Sequence, residues 1–259
     1  MPGEHARLSA SGSKRWMECP GSLLLEDLCA EEDSEYAAEG TKAHALAESI
    51  LRYKVLKCIR EEDMLELWQK ADIEMQRYTT EYADYCKDIF DALMLKNKDA
   101  EAFVEERVRY DEYAPDGYGT VDFVAIGGRC LHIVDLKYGK GVPVTAIGNP
   151  QPRLYALGAL NEIGFLYDID KVIMHIYQPR IQNISVETLS IKDLLAWGNT
   201  VVAPKAEKAY NGTREFSPGE HCRFCKARAT CRVRAVQILS NITKILIGGT
   251  HGTNKRRKA

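Results

Sequence analysis

No apolar run in this sequence reaches the roughly 18 residues that a helix needs to cross a bilayer. The opening residues, MPGEHARLSASGSKRW, hold no hydrophobic stretch of the kind a secretory leader carries. Both absences point to the cytoplasm and away from a membrane partner. A basic excess is missing too: 35 Lys and Arg stand against 37 Asp and Glu, a formal charge of −2. Proteins that coat nucleic acid carry a broad positive surface, so a nucleic-acid contact here must be a local groove. Gly248 to Lys255 (GGTHGTNK) has glycines and a lysine but not the spacing of a phosphate-binding loop. No G-x-S-x-G motif, zinc-protease helix or internal repeat occurs.

The composition itself is that of a globular chain. Of 259 residues, 45% are hydrophobic and 28% charged, which suffices for a single core. Thr41 to Lys57 has helical periodicity, with Ala45, Leu46, Ser49, Ile50 and Tyr53 on one side and Thr41 as the cap. Thr79 to Lys96 repeats the pattern. From Ala102 the texture changes to three strands, AFVEERVRY, YGTVDFVAI and CLHIVDLKY. Pro115-Asp116-Gly117 and Gly127-Gly128 supply the turns between them. A helix opened by proline (PQPRLYALGALNEIG), the strands KVIMHIYQP and ISVETLSI, and a helix from Lys192 to Tyr210 follow. This order predicts an α/β fold with a mixed central sheet flanked by helices. It divides into an N-terminal helical region (1–100), a core (101–211), a cysteine module (212–235) and a basic, flexible tail (236–259).

Two aspartates interrupt apolar strands: Asp122 in TVDFV and Asp135 in IVDLK. A carboxylate in such a strand is costly unless it is paired, solvated or bound to metal. Strand alternation puts Lys137 on the face of Asp135, about 7 Å along the chain. The Gly127-Gly128 turn brings the strand of Asp122 back beside that of Asp135. Two carboxylates and an ammonium can then converge at one end of a hairpin. Such a set suits phosphodiester hydrolysis, in which oxygen ligands hold a hard cation and a lysine offsets charge in the transition state. Taken alone, D-x-K reads as a solvated surface pair. His44 reads alone as a surface histidine paired with Glu48, Tyr155 as a core residue and Gln151 as a helix cap.

Four segments together resemble the PD-(D/E)xK nucleases, and within them the RecB-like exonucleases. That group includes the nuclease domains of RecB and AddB, the CRISPR-associated RecB-like exonucleases and many phage exonucleases. GTKAHALAE (Gly40 to Glu48) is similar to the family's helical His motif, GTVDF (Gly119 to Phe123) to its first acidic motif, IVDLKYG (Ile133 to Gly139) to its D-x-K motif, and QPRLY (Gln151 to Tyr155) to its Q-x-x-x-Y helix. The four stand in family order across residues 15 to 235. The resemblance implies a restriction-endonuclease-like core. It implies a Mg2+ or Mn2+ ion held by His44, Asp122, Asp135 and the Leu136 carbonyl, and a catalytic trio of Asp122, Asp135 and Lys137. Gln151 and Tyr155 would steady the site or the DNA strand. Glu105 or Glu106 would add an outer carboxylate, and the sequence does not choose between them. The implied activity is that of a metal-dependent DNA exonuclease acting on ends or single strands beside recombination, repair or replication proteins. A small stand-alone member of this group suggests a phage enzyme in a bacterial host cytoplasm. Two other functions fit the same motifs: a non-catalytic DNA-end adaptor, and a nuclease of CRISPR adaptation.

Eight cysteines in a reducing compartment are thiols or metal ligands. Cys222, Cys225 and Cys231 form C-x2-C-x5-C among Arg223, Lys226, Arg228 and Arg232. Three ligands are one short of the four that structural zinc or an iron–sulfur cluster takes, and Cys19 in WMECPG can be the fourth. Spacing leaves zinc open, with His221 or another cysteine as an alternative ligand. The one-plus-three split resembles the iron–sulfur subset of the same nucleases, which implies a 4Fe-4S cluster on Cys19, Cys222, Cys225 and Cys231. Such a clasp would close a loop of about 200 residues, stabilising the fold by several kcal/mol on the order expected for long cross-links. Cys29, Cys58, Cys86 and Cys130 read as small buried hydrophobes.

Overall fold

A computed structural model describes residues 6–30 and 35–248. Five strands, β1 (Glu101–Arg109), β2 (Tyr118–Gly127), β3 (Cys130–Leu136), β4 (Lys171–Gln178) and β5 (Asn183–Ser190), form one sheet in sequence order. The pairs β1/β2, β2/β3 and β4/β5 are antiparallel, and β3/β4 is parallel. The parallel step needs a crossover, and the helix between those strands supplies it.

The N-terminal region holds α1 (Ser13–Glu18), α2 (Ser22–Glu26), α3 (Glu35–Leu51), α4 (Glu61–Lys70) and α5 (Ile73–Lys96). The crossover helix is α6 (Pro150–Glu162), followed after β5 by α7 (Ile191–Trp197), α8 (Ala203–Tyr210) and α9 (Arg232–Gly248). One face of the sheet, with Val124, Ile126, Leu131, Ile133, Val172 and Met174, packs on α6 together with Leu8, Trp16 and Leu194. The other face, with Val104, Phe123, Ala125, Val134 and Leu136, packs on α3 and α5 through Leu46, Ile50, Tyr82 and Cys86. The sheet is thus buried on both sides, which accounts for the long Val/Ile-rich runs in β2 and β3.

Three expectations on element boundaries need correcting. The first helix starts at Glu35, not Thr41, whose hydroxyl donates to the Ala37 carbonyl inside the helix instead of capping it. The second starts at Ile73, capped by Asp72 accepting from the Met75 N–H at 2.8 Å. Residues 236–248, expected as flexible tail, are helical in α9. The terminal basic run Lys255 to Lys258 lies outside the described residues. Cys58 is exposed and not a small core residue, whereas Cys86 is buried as expected.

The two ends of the chain are stitched together. Gly21 N–H donates to the Glu215 carbonyl at 2.9 Å, and the Lys226 N–H donates to Glu26 at 2.8 Å. A side chain at Gly21 would stand 2.8 Å from that carbonyl oxygen, so the contact needs glycine.

Candidate metal centre and four-cysteine cavity

The β2–β3 ladder stops at Phe123↔Val134, and the strands part beyond it. Asp122 fills the opening. Its Oδ2 accepts the Leu136 N–H at 2.6 Å, so a side chain takes over a bond the ladder would have made. Its Oδ1 lies 3.0 Å from His44 Nδ1 on α3. The β1–β2 ladder also skips one pair, the one where Glu105 faces Asp122 in register. Glu105 has φ +53°, in the left-handed region that a residue without a glycine's freedom adopts only under constraint. Side-chain alternation changes phase there: Val104 packs on the α3/α5 side, yet Val108 packs on the α6 side. The distortion turns Glu105 toward Asp122. One ligand atom from each of His44, Glu105 and Asp122 lies within 4.8 Å of the others.

Asp135 sits beside this triad, held from the opposite side of the sheet. Gln151 at the start of α6 donates from Nε2 to Asp135 Oδ1 at 3.1 Å and to the Tyr155 hydroxyl at 3.2 Å. Lys137 Nζ lies 2.5 Å from Asp135 Oδ2. Gly119 makes room for the Tyr155 ring; a Cβ there would stand 2.7 Å from it.

The electrostatics follow from the crowding. Burial works against a charged His44, but Asp122, by charge and hydrogen bond, and then Asp135 outweigh it and push its pKa up to about 9. Burial and the charge of Asp122 raise Glu105 to about 7, against the pull of His44. Asp135 is raised by burial and by Asp122, with Lys137 opposing. Three carboxylates, one imidazole and one ammonium therefore share a small partly buried space. Their donor set, oxygen-rich with one nitrogen, fits a divalent cation, which would balance the converging negative charge.

His44, Asp122, Asp135, Lys137, Gln151 and Tyr155 are all brought to this site. Asp135 stands outside the tight triad, and Leu136 contributes its N–H to Asp122. Between the two glutamates left open, Glu105 is the one turned inward. The register that sets Arg109 against Tyr118 puts Glu105, not Glu106, opposite Asp122.

The second site lies where the chain ends meet. Cys19, Cys222, Cys225 and Cys231 line one small cavity with Arg15, Ser22, His221, Arg228 and Arg234. The Ser217 N–H donates to Cys19 Sγ and the Gly219 N–H to Cys222 Sγ, each at 3.4 Å. Burial pushes the Cys19 thiol up and the Cys225 thiol to about 11. Among the described residues, His44, Glu105 and Asp122 are the only His, Cys or acidic trio within 4.8 Å of one another. No three of the four sulfurs therefore close to the spacing that one tetrahedral ion with metal–sulfur bonds of about 2.3 Å imposes. The four line a common cavity at wider separation.

A model of the family described as "Protein of unknown function (DUF2800)" matches residues 5–246. The chain belongs to this family. In this DUF2800 member the match spans both sites, from before Cys19 to near the end of α9. Among solved structures, one described as the crystal structure of SSO0001 is similar at 13% identity and a TM-score of 0.32, covering 83% of this chain and 95% of that chain. A likeness at that level carries no argument about the DUF2800 fold or its activity.

Proposed function

We propose that this protein is a Mg2+- or Mn2+-dependent deoxyribonuclease with a PD-(D/E)xK, RecB-like core, acting on DNA ends or single strands. One observation carries the reading: four separate sequence segments deliver His44, Asp122, Asp135–Lys137 and Gln151 to a single site, joined there by Glu105. An arrangement that was only a surface ion pair would have no use for Gln151 and His44 converging from helices on opposite faces of the sheet.

In this reading His44, Glu105 and Asp122 hold the ion, with Asp135 beside them. The ion supplies an acidified water and a counter-charge for the phosphoryl oxygens. Lys137, fixed by its pair with Asp135, orients the attacking water and offsets charge as the phosphorus centre expands. Gln151 keeps Asp135 in place, and Tyr155 fixes Gln151. End-labelled DNA with Mn2+ tests this directly. Asp122→Asn, Asp135→Asn and Lys137→Ala should each lower cleavage at least 100-fold while the variants stay folded by circular dichroism. Undiminished cleavage by all three would sink the assignment.

The cysteine cavity is read as the seat of a 4Fe-4S cluster in preference to zinc. Support comes from the one-plus-three split of Cys19 and of Cys222, Cys225 and Cys231 around one cavity, and from two backbone N–H···S contacts suited to thiolates. The cluster would fasten α1 and α2 to the C-terminal segment.

A further inference from the structure

The cavity is not lined by sulfur alone. Among the described residues, Arg15 Nε, Ser22 Oγ and His221 Nε2 are buried side-chain atoms without a hydrogen-bond partner. Arg15, Ser22 and His221 all line the four-cysteine cavity. Three of the polar atoms the fold leaves unsatisfied thus gather at one place.

Each is held there by another contact. The Arg15 guanidinium is anchored through Nη2, 2.8 Å from Glu26, which also accepts the Lys226 N–H next to Cys225. Ser22 opens α2, its N–H donating to the Cys19 carbonyl, and it is 2% exposed. His221 is fixed through Nδ1, 2.8 Å from Glu18, and its side chain is 4% exposed. A buried donor without an acceptor costs about 1–3 kcal/mol, so several at one cavity call for a polar guest. Thiol sulfurs are weak acceptors. Thiolates and inorganic sulfides, which carry negative charge, are better ones.

We propose that Arg15 and Ser22 are positioning residues for the cysteine-bound cluster, donating Nε–H and Oγ–H to its sulfurs and thereby raising its reduction potential. The inference rests on the cluster reading above. The physical reason is charge. One-electron reduction adds a negative charge to the cluster, so fixed donors stabilise the reduced form more than the oxidised one. Arg15 adds a positive charge to the same effect, as do Arg228 and Arg234 at the rim. His221, steered by Glu18, closes the third side.

The test is an anaerobic redox titration of the purified full chain, with iron and sulfide assayed on the same sample. Ser22→Ala removes one donor with almost no change in volume. Arg15→Lys keeps a cation for Glu26 but loses the Nε–H. Both variants should retain the wild-type iron and sulfide content and show a midpoint potential shifted negative, with the double variant shifted further. Unmoved midpoints in fully loaded variants would overturn the inference and leave the cluster standing. Wild-type protein that carries one zinc and no sulfide would overturn both.

Discussion

Gly119 shows how one residue can carry two demands. It lies in β2 three positions before Asp122, and its missing side chain is the space the Tyr155 ring occupies. Tyr155 in turn accepts from Gln151, which holds Asp135. Gly119→Ala would push a methyl to 2.7 Å from that ring, forcing the ring or the strand to move. Overpacking of this kind costs roughly 1–3 kcal/mol. We expect a lower melting temperature and, because Asp135 loses its brace, a fall in cleavage larger than the loss of folded protein explains. A variant as stable and active as the wild type would show that the ring is not fixed there. Asp135, Lys137 and Asp122 were legible in the sequence because a charged residue inside an apolar strand is conspicuous. Glu105 was not singled out, because nothing in a strand pattern announces a left-handed residue. Arg15, Ser22 and Glu18 gave no signal at all, since their role depends on a meeting of segments about 200 residues apart.

At the scale of elements, β3 and β4 place His132 and His175 side by side on the α5 face. The rings stack at 5.4 Å, His132 Nδ1 lies 3.1 Å from His175 Nε2, and the Tyr85 hydroxyl lies 2.8 Å from His175 Nδ1. Burial, then Lys171, lowers His132 to about 4, and burial, then His132, lowers His175 to about 3. The folded state therefore binds fewer protons than the unfolded chain once pH drops below about 6.5. Stability from this pair is complete above that pH and is lost as pH falls toward 4, by an amount on the order of 3 kcal/mol for each ring. Urea unfolding at a series of pH values checks it: His132→Leu should lose less stability than the wild type between pH 6.5 and 4. Equal losses would mean the rings are not held neutral. The strands themselves were read to within two residues, because Val, Ile and aromatic runs between turn residues have few other uses. Helix starts were read less well. The stretch before Thr41 is polar and small and carries no apolar stripe, and Ala37 and Ala38 are exposed, so periodicity does not mark it as helix.

For the whole molecule, the meeting of the two ends sets the architecture. Cys19 and Cys225 are buried together with Glu26 and His221 at a seam between α1, α2 and the C-terminal segment. Serine at Cys19 or Cys225 should remove one corner of the clasp. We expect destabilisation of about 2–5 kcal/mol by denaturant midpoint, in the range for losing a native cross-link or structural metal. Limited proteolysis should cut first between residues 212 and 231. A variant with an unchanged midpoint would reduce the seam to a surface detail. The spacing of Cys222, Cys225 and Cys231 made a metal site visible in the sequence, and the distant Cys19 was found only by counting ligands. Helicity in residues 236–248 was missed because the terminal basic run suggested a solvated tail for the entire stretch.

The seam also has a mechanical consequence. The Gly21–Glu215 contact is the innermost stitch between the ends, so the whole sheet lies inside the loop it closes. Tension applied to the two ends would be met by the seam and, on the N-terminal side, by Leu8, whose carbonyl accepts from the Tyr110 hydroxyl, and by Trp16 in the core. A force–extension trace should therefore open with the rupture of these end contacts, and only then show the longer extension of the sheet released from inside the loop.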